Sequence, residues 1–260
     1  MPTFASPSPK VPSGYRLLRL ETVDSTNAEA RRRAEAGEAD PLWIWSAQQA
    51  AGRGRSGRHW QSQQGNLFAS LLIGLSCPLM TAGQVALLAG VAAYDTAAKL
   101  LPEEVRSELL LKWPNDVLLK GGKVAGMLLE SASETTPNCC KVVIGTGLNL
   151  ANYPPDLEQP ATSLAAHGGA VAPAAAFETL AAVTDAWLAR WGEGVSFQAV
   201  RRAWLDRAGP TGRPLRVRLH GEQEAKGTFA GLDSAGALRL QMSDGAERRV
   251  AAGDVFFPNS

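Results

Sequence analysis

Residues 52–60 read Gly-Arg-Gly-Arg-Ser-Gly-Arg-His-Trp, with three glycines and three arginines in the first seven positions. No packed core takes that composition, so the stretch reads as a loop. Glycine lets a backbone approach a ligand closely and take positive φ. Arginine offers a permanent charge and a planar donor fork matched to phosphate and carboxylate. The loop is therefore one that holds an anion, and the residues after it limit the fold. Gly52, Gly54 and Gly57 satisfy the spacing G-x-G-x-x-G, but residues 59–66 are polar and Gly-broken and lead into the apolar run Leu67 to Leu75. A dinucleotide-binding fold needs a helix opening in the loop and an acidic residue about 20 positions on. No Asp or Glu occurs between Asp40 and Asp95. A P-loop fails for want of the same helix, and Arg58-His59 stands where Lys-Ser/Thr is required. A solvated basic turn is the plain alternative, weakened by glycines that each lose conformational entropy on ordering.

Around this loop the pattern mixes strands and helices. Thr26 with Glu29 reads as a capping box for a helix to about Ala36, closed by Gly37. Leu42 to Ala47 and Leu67 to Leu75 read as buried strands, and Gly83 to Leu101 as an apolar helix. Leu109 to Trp113 and Val117 to Lys120 are strand-like, interrupted at Pro114, where a central ladder would lose a donor. Gly121-Gly122 reads as a two-residue hairpin turn into Lys123 to Glu130, and Lys141 to Leu150 is one more strand. Pro173 opens a helix with Leu180, Val183, Trp187 and Trp191 on one side, and a second helix, Ser196 to Arg207, buries Phe197, Val200 and Trp204. From Thr211 onward, short alternating runs separated by Gly-bearing turns predict a small antiparallel barrel. The expected division is a flexible tail over 1–14, a main domain over 15–209 and a small barrel over 210–260.

The overall balance excludes several classes. Net charge is +1, so there is no global field to attract nucleic acid or an anionic membrane. Cys77, Cys139 and Cys140 make an odd count without Cys-x-x-Cys spacing, which argues for reduced thiols in a cytoplasmic protein. The scattered His59, His167 and His220 argue against a metal centre. The N-terminal stretch has four prolines and three serines in 1–14 and no apolar signal core. The most apolar stretch, Val85 to Leu101, contains Asp95 and Lys99 and is too short to span a bilayer.

Other short blocks each have a bland reading. Ser25-Thr26-Asn27 is what a helix start looks like, Lys112-Trp113-Pro114-Asn115-Asp116 is an edge strand with a turn, Lys123 is a hairpin lysine, and Gly145-Thr146-Gly147 is a strand with bulges. In this order and spacing they are not independent. Ser25-Thr26-Asn27, Gln49-x-x-Gly-Arg-Gly-Arg-x-Gly-Arg-x-Trp60, Lys-Trp-Pro-Asn-Asp116, Lys123-x-Ala-Gly126 and Gly145-x-Gly-Leu-Asn149 closely resemble the bacterial biotin–protein ligases. The resemblance runs from about residue 20 to the C-terminus, and the arginine and Lys-Trp-Pro-Asn-Asp blocks are its most specific parts.

The resemblance implies an α+β fold: a mixed, largely antiparallel sheet with helices, like the catalytic domain of class II aminoacyl-tRNA synthetases, followed by a small SH3-like barrel. It implies that biotin and ATP are the substrates, with Mg²⁺, that biotinyl-5′-adenylate is the intermediate, and that a biotin carboxyl carrier protein is the partner. By similarity, Ser25, Thr26, Asn27 and Gln49 hold the biotin head, and Arg53, Gly54 and Arg55 close over biotin and the adenylate phosphate. Lys123, with Gly126 beside it, bridges the biotin carboxylate and the α-phosphate, so Lys123 and Arg55 are the expected catalytic pair. Arg58 faces the triphosphate, Trp60 stacks on adenine, Lys112, Asn115 and Asn149 lie on the nucleotide side, and Asp116 is a Mg²⁺ or phosphate-region carboxylate. Arg53 to Arg58 is expected to be poorly ordered without ligand and closed with it. Ser56 stands where some relatives carry a further arginine, and Ser25 lies too near the start to leave room for a DNA-binding module before it. No nucleic-acid or membrane partner is implied, and a homodimer is left open. The rival readings are a lipoate or octanoate ligase, opposed by the arginine and Lys-Trp-Pro-Asn-Asp blocks; a biotin-sensing repressor, opposed by the near-neutral charge and the expected lack of an N-terminal domain; and an inactive binding module, opposed by Lys123 and the loop arginines.

Overall fold

Strand and helix alternate so that one sheet is covered on both faces. The computed structural model describes residues 8–155, 159–219 and 223–257. Its larger sheet has seven strands: β1 (Arg16–Val23), β2 (Leu42–Gln49), β3 (Leu67–Leu75), β4 (Leu109–Lys112), β5 (Asp116–Leu119), β6 (Gly122–Thr136) and β7 (Cys139–Leu148). They lie in the order β1-β2-β3-β7-β6-β5-β4. Only β1 and β2 run parallel, joined across α1 (Thr26–Glu35); the other pairings are antiparallel. The expected mixed, largely antiparallel sheet is observed.

β2 shows why both faces are closed. Its first five residues, Leu-Trp-Ile-Trp-Ser, are all buried, as expected of a strand covered above and below. Leu42 and Ile44 join Ala30 of α1, Leu72 and Val143 in one apolar cluster. Trp43 and Trp45 point the other way, towards α3 (Val85–Leu100) and α4 (Pro173–Trp191). The Phe177 ring stacks on Trp45 at 5.5 Å and meets Trp43 edge-on at 5.5 Å. Truncating a buried aromatic of this kind costs about 3–5 kcal/mol. α5 (Phe197–Arg207) completes this layer, and a single turn of helix, α2 (Leu79–Ala82), precedes α3. None of these helices is long and apolar enough to cross a membrane, among the described residues.

The second sheet is the C-terminal barrel: β8 (Pro214–Arg218), β9 (Glu224–Leu232), β10 (Leu238–Gln241), β11 (Glu247–Val250) and β12 (Asp254–Phe256), ordered β11-β10-β9-β8-β12. Its core is continuous with the main one. Trp204 of α5 packs on Phe229, and Trp113 Nε1 donates to Gly236 O at 3.2 Å.

Several local expectations shift. The cap of α1 is Ser25, whose Oγ accepts from Ala28 N, while Glu29 pairs with Arg32 and Arg33 instead of closing a capping box with Thr26. The β5–β6 turn is Lys120-Gly121, both at positive φ, and Gly122 already belongs to the strand. β1 and β12 carry no alternation strong enough to be read from sequence. Residues 8–14, read as part of a flexible tail, lie against the body: Pro9 is buried and Lys10 N donates to Glu178 Oε1 at 2.7 Å. Residues 1–7 and His220 lie outside the described residues.

Candidate active site

The ends of β2 and β7, the starts of β5, β6 and α1, and the arginine loop surround one cavity of about 430 Å³. Ser25, Thr26, Asn27, Gln49, Arg53, Gly54, Arg55, Arg58, Trp60, Lys112, Asn115, Asp116, Lys123, Gly126 and Asn149 all line it. Every site residue expected from sequence thus converges on one place. β12 of the barrel contributes Asp254, Val255 and Phe256 to the same wall.

One end of the cavity is neutral and densely hydrogen-bonded. Ser25, Thr26 and Asn27 are each 4% exposed. Gln49 Oε1 accepts from Thr26 N at 2.8 Å and lies 3.1 Å from Thr26 Oγ1, and Gln49 Nε2 donates to Ser62 Oγ at 2.9 Å. Ser70 Oγ lies 2.7 Å from Thr26 Oγ1 and 2.6 Å from Asn27 Oδ1. Asn27 Nδ2 donates to Glu130 Oε2 at 2.7 Å. Such a network keeps buried polar groups satisfied and rigid. A bare backbone makes room for it: a Cβ on Gly145 would collide with the Asn27 amide.

The middle of the cavity is a lysine set against an indole. The Trp60 ring lies on the backbone of Gly147, where a Cβ would stand 2.6 Å from Cε2, and of its cross-strand partner Gly126, where it would stand 3.0 Å from Cζ3. Lys123 Nζ lies 5.3 Å from the Trp60 ring centroid. The glycines expected to be bulges are regularly paired in β6 and β7; their role is close approach.

Lys123 Nζ meets Asp116 Oδ1 at 2.6 Å, and Lys112 Nζ meets Asp116 Oδ2 at 3.0 Å. Burial alone pushes the Asp116 carboxyl up, but the two ammoniums outweigh it and hold the group below its ordinary value. Burial also lowers the Lys112 ammonium, against the pull of Asp116. Gln159 Oε1 accepts from Lys112 Nζ at 2.7 Å. The strand ends are clamped: Asn149 Nδ2 donates to Thr162 O at 3.0 Å, and Lys123 N donates to Pro160 O at 2.7 Å.

The arginine loop follows a path held by its own backbone. Arg53 bridges His59, Gly54 N donates to Arg58 O at 2.7 Å, and a 3₁₀ turn spans Arg55–Gly57. The barrel holds its tip. Arg58 Nη2 meets Asp254 Oδ1 at 2.7 Å, Arg55 Nη2 donates to Gly253 O at 3.0 Å, and Arg55 Nη1 donates to Asn115 Oδ1 at 3.3 Å. Burial lowers the Arg55 guanidinium from its ordinary value, opposed by Asp254 and Asp116.

Ser62, Ser70, Glu130, Gln159, Gly253 and Asp254 were not anticipated from sequence. Ser70 left one signal, a lone hydroxyl inside the apolar run Leu67–Leu75. Asp254 left none, since it acts on residues about 200 positions earlier.

A lysine placed between a hydrogen-bonding pocket and a cluster of cations draws together two anions that would otherwise repel, and stabilises charge developing at their junction. That arrangement defines a ligase that activates a small carboxylic acid on a nucleotide phosphate. Comparison with known proteins narrows the class. Residues 20–149 match the Biotin/lipoate A/B protein ligase family, and residues 211–257 match the biotin protein ligase C-terminal domain. A biotin–[acetyl-CoA-carboxylase] ligase of Paracoccus denitrificans is 38% identical over 92% of this chain and 99% of its own length. One from Mycobacterium tuberculosis is 34% identical over 94% of this chain and 90% of its own. The fold is that of the Aquifex aeolicus biotin protein ligase, solved with biotin and ATP: TM-score 0.74 at 24% identity, covering 94% of this chain and 99% of that one. The chain belongs to the biotin protein ligases.

Proposed function

We infer that this enzyme joins biotin to ATP as biotinyl-5′-adenylate and then passes the biotin to a lysine of a biotin carboxyl carrier protein. It is an ATP-dependent biotin ligase. The observation that carries the reading is Lys123, which stands between the neutral pocket and the cation cluster in one cavity. The biotin head occupies the Ser25–Thr26–Asn27 and Gln49 end. Its carboxylate faces Lys123, and the triphosphate lies along Arg55, Arg58 and Lys112. Asn115 and Asn149 border the nucleotide, with Trp60 against adenine. Arg53, Gly54 and Gly126 shape the passage between the two ends.

In the first step a biotin carboxylate oxygen attacks the α-phosphorus, and the bond to pyrophosphate breaks. Lys123 and Arg55 offset the charge that gathers there. In the second step the carrier amine attacks the carbonyl, AMP leaves, and the ammonium proton passes to solvent. The loop that assembles the site also keeps water and stray amines from the mixed anhydride.

The residues present do not fit a resident Mg²⁺. Both Asp116 oxygens face lysines, and no three His, Cys, Asp or Glu are grouped to hold a metal among the described residues. Mg²⁺ belongs to the substrate, carried in on the triphosphate. ATP–pyrophosphate exchange tests the acid. Exchange driven by biotin supports the reading, whereas exchange driven by lipoate or octanoate and not by biotin overturns it.

A further inference from the structure

The hydrogen-bond chain at the neutral end has a direction, and two groups at its ends set it. At one end, Trp60 O accepts from Ser62 Oγ at 3.1 Å, so Ser62 receives from Gln49 Nε2 and Gln49 turns its carbonyl to Thr26. At the other end stands the Glu130 carboxylate, which can only accept. It takes a hydrogen from Asn27 Nδ2 at 2.7 Å, with Leu128 O a longer second acceptor at 3.3 Å. Asn27 Oδ1 is thereby turned to Ser70 Oγ, 2.6 Å away, and needs its hydrogen.

Two hydroxyls then meet in the middle, Ser70 Oγ and Thr26 Oγ1, at 2.7 Å. Each has one hydrogen to give. If Ser70 donates to Asn27, the hydrogen between the two hydroxyls must come from Thr26. Gln49 Oε1 is still satisfied by Thr26 N at 2.8 Å, and the contact left without a hydrogen is the longer of its two to Thr26, Thr26 Oγ1 at 3.1 Å. The reverse order leaves Asn27 Oδ1 facing a lone pair at the shortest contact of all. Thr26 Oγ1, in the cavity wall, therefore offers lone pairs and not a hydrogen.

We propose that Glu130 and Ser70, which lie behind the cavity wall, are positioning residues for biotin: together they set the Thr26 hydroxyl as an acceptor for a ring N–H of the cyclic urea. This rests on the reading of the cavity as a biotin site. Neither side chain lines the cavity, so both act through Asn27 and Thr26. A glutamine at 130 can accept or donate, and the chain then loses its single direction.

The test uses the full chain with biotin and ATP varied separately. Glu130→Gln, nearly isosteric, raises the KM and Kd for biotin about tenfold, while kcat and the KM for ATP change less than about twofold, a split that general loosening of the fold would not give. Ser70→Ala shows the same split. The double variant is no worse than Ser70→Ala alone, because the chain is already cut at Ser70. Glu130→Asp, which keeps an acceptor-only group, retains more biotin affinity than Glu130→Gln. An unchanged biotin KM in Glu130→Gln, or single effects that multiply in the double variant, overturns the proposal. Should Glu130→Gln fail to fold, the proposal stands or falls on the biotin-against-ATP split in Ser70→Ala. A parent protein with no biotin-dependent exchange defeats the underlying biotin reading instead.

Discussion

At the neutral end of the cavity, side chains hold one another in a directed chain of hydrogen bonds that closes on Glu130 and on the Trp60 carbonyl. At the ionic end, Lys112 and Lys123 share the buried carboxylate of Asp116, and Arg55 and Arg58 reach Asp254. The first end draws its stability from satisfied buried polar groups. The second is a set of cations held apart by two aspartates that a polyanion can displace or outcompete. A rigid end suits recognition of an uncharged ring. An ionic end suits a substrate whose charge is redistributed during the reaction.

The largest expected effect lies where the two ends meet. Lys123→Ala slows adenylate formation about 10²–10³-fold, read by pyrophosphate exchange, with ATP affinity in calorimetry much less affected. If both fall together, Lys123 acts in binding and not at the reacting phosphorus.

Asp116→Asn comes next and tests stability at the ionic end. It leaves the buried Lys112 ammonium and the half-buried Lys123 ammonium without their carboxylate, at up to about 3–5 kcal/mol by the general behaviour of broken buried pairs, and lowers the melting temperature. The pH dependence follows from the depressed carboxyl. Its stabilisation is complete above the ordinary aspartate value of 3.8 and is lost as pH falls through the lower folded value. Acid unfolding of the parent therefore includes a component below pH 3.8 that Asp116→Asn lacks.

Arg55→Gly removes the contacts to Asn115 and Gly253 and one guanidinium from the cavity wall. A hydrogen bond to a charged group contributes about 1.5–3 kcal/mol, so retention of the adenylate shortens about tenfold or more. Biotin then reaches bystander lysines, visible by mass spectrometry. Retention equal to the parent's contradicts this role.

Asp254→Ala is the mildest change. The Arg58 pair is partly exposed, worth about 0–1 kcal/mol. Tryptic cleavage within 53–58 accelerates up to about fivefold without ATP, and ATP restores protection. The KM for biotin is unchanged, because Asp254 belongs to the ionic end alone. A shift in biotin KM would show that the ends are coupled.

How much of this was legible in the sequence differs between the two ends for a physical reason. Strongly periodic elements such as α4 and the barrel strands β9 and β10 were readable because their apolar spacing is local. β1 carries no clean alternation, with most of its residues only partly buried, and β12 is three residues long. Motif residues lining the cavity were found by their order along the chain, and all of them converge. Their supports were not, because a support is defined by proximity in space. Ser70 meets Asn27 across 43 positions, Glu130 meets it across 103, and Asp254 meets Arg58 across 196. The cap of α1 shows the same limit at short range: the capping box read at Thr26 gives way to Ser25, while Thr26 turns towards Gln49.

The central claim is that both ends serve one covalent step at Lys123. A single-turnover reaction of the full chain with biotin and ATP labelled at the α-phosphate tests it most directly. The account expects labelled biotinyl-AMP, stoichiometric with the protein and retained through gel filtration, formed about 10²–10³-fold more slowly in Lys123→Ala, and discharged when a carrier domain is added. Label that stays in ATP with biotin present, or an adenylate formed from lipoate or octanoate in its place, would contradict it.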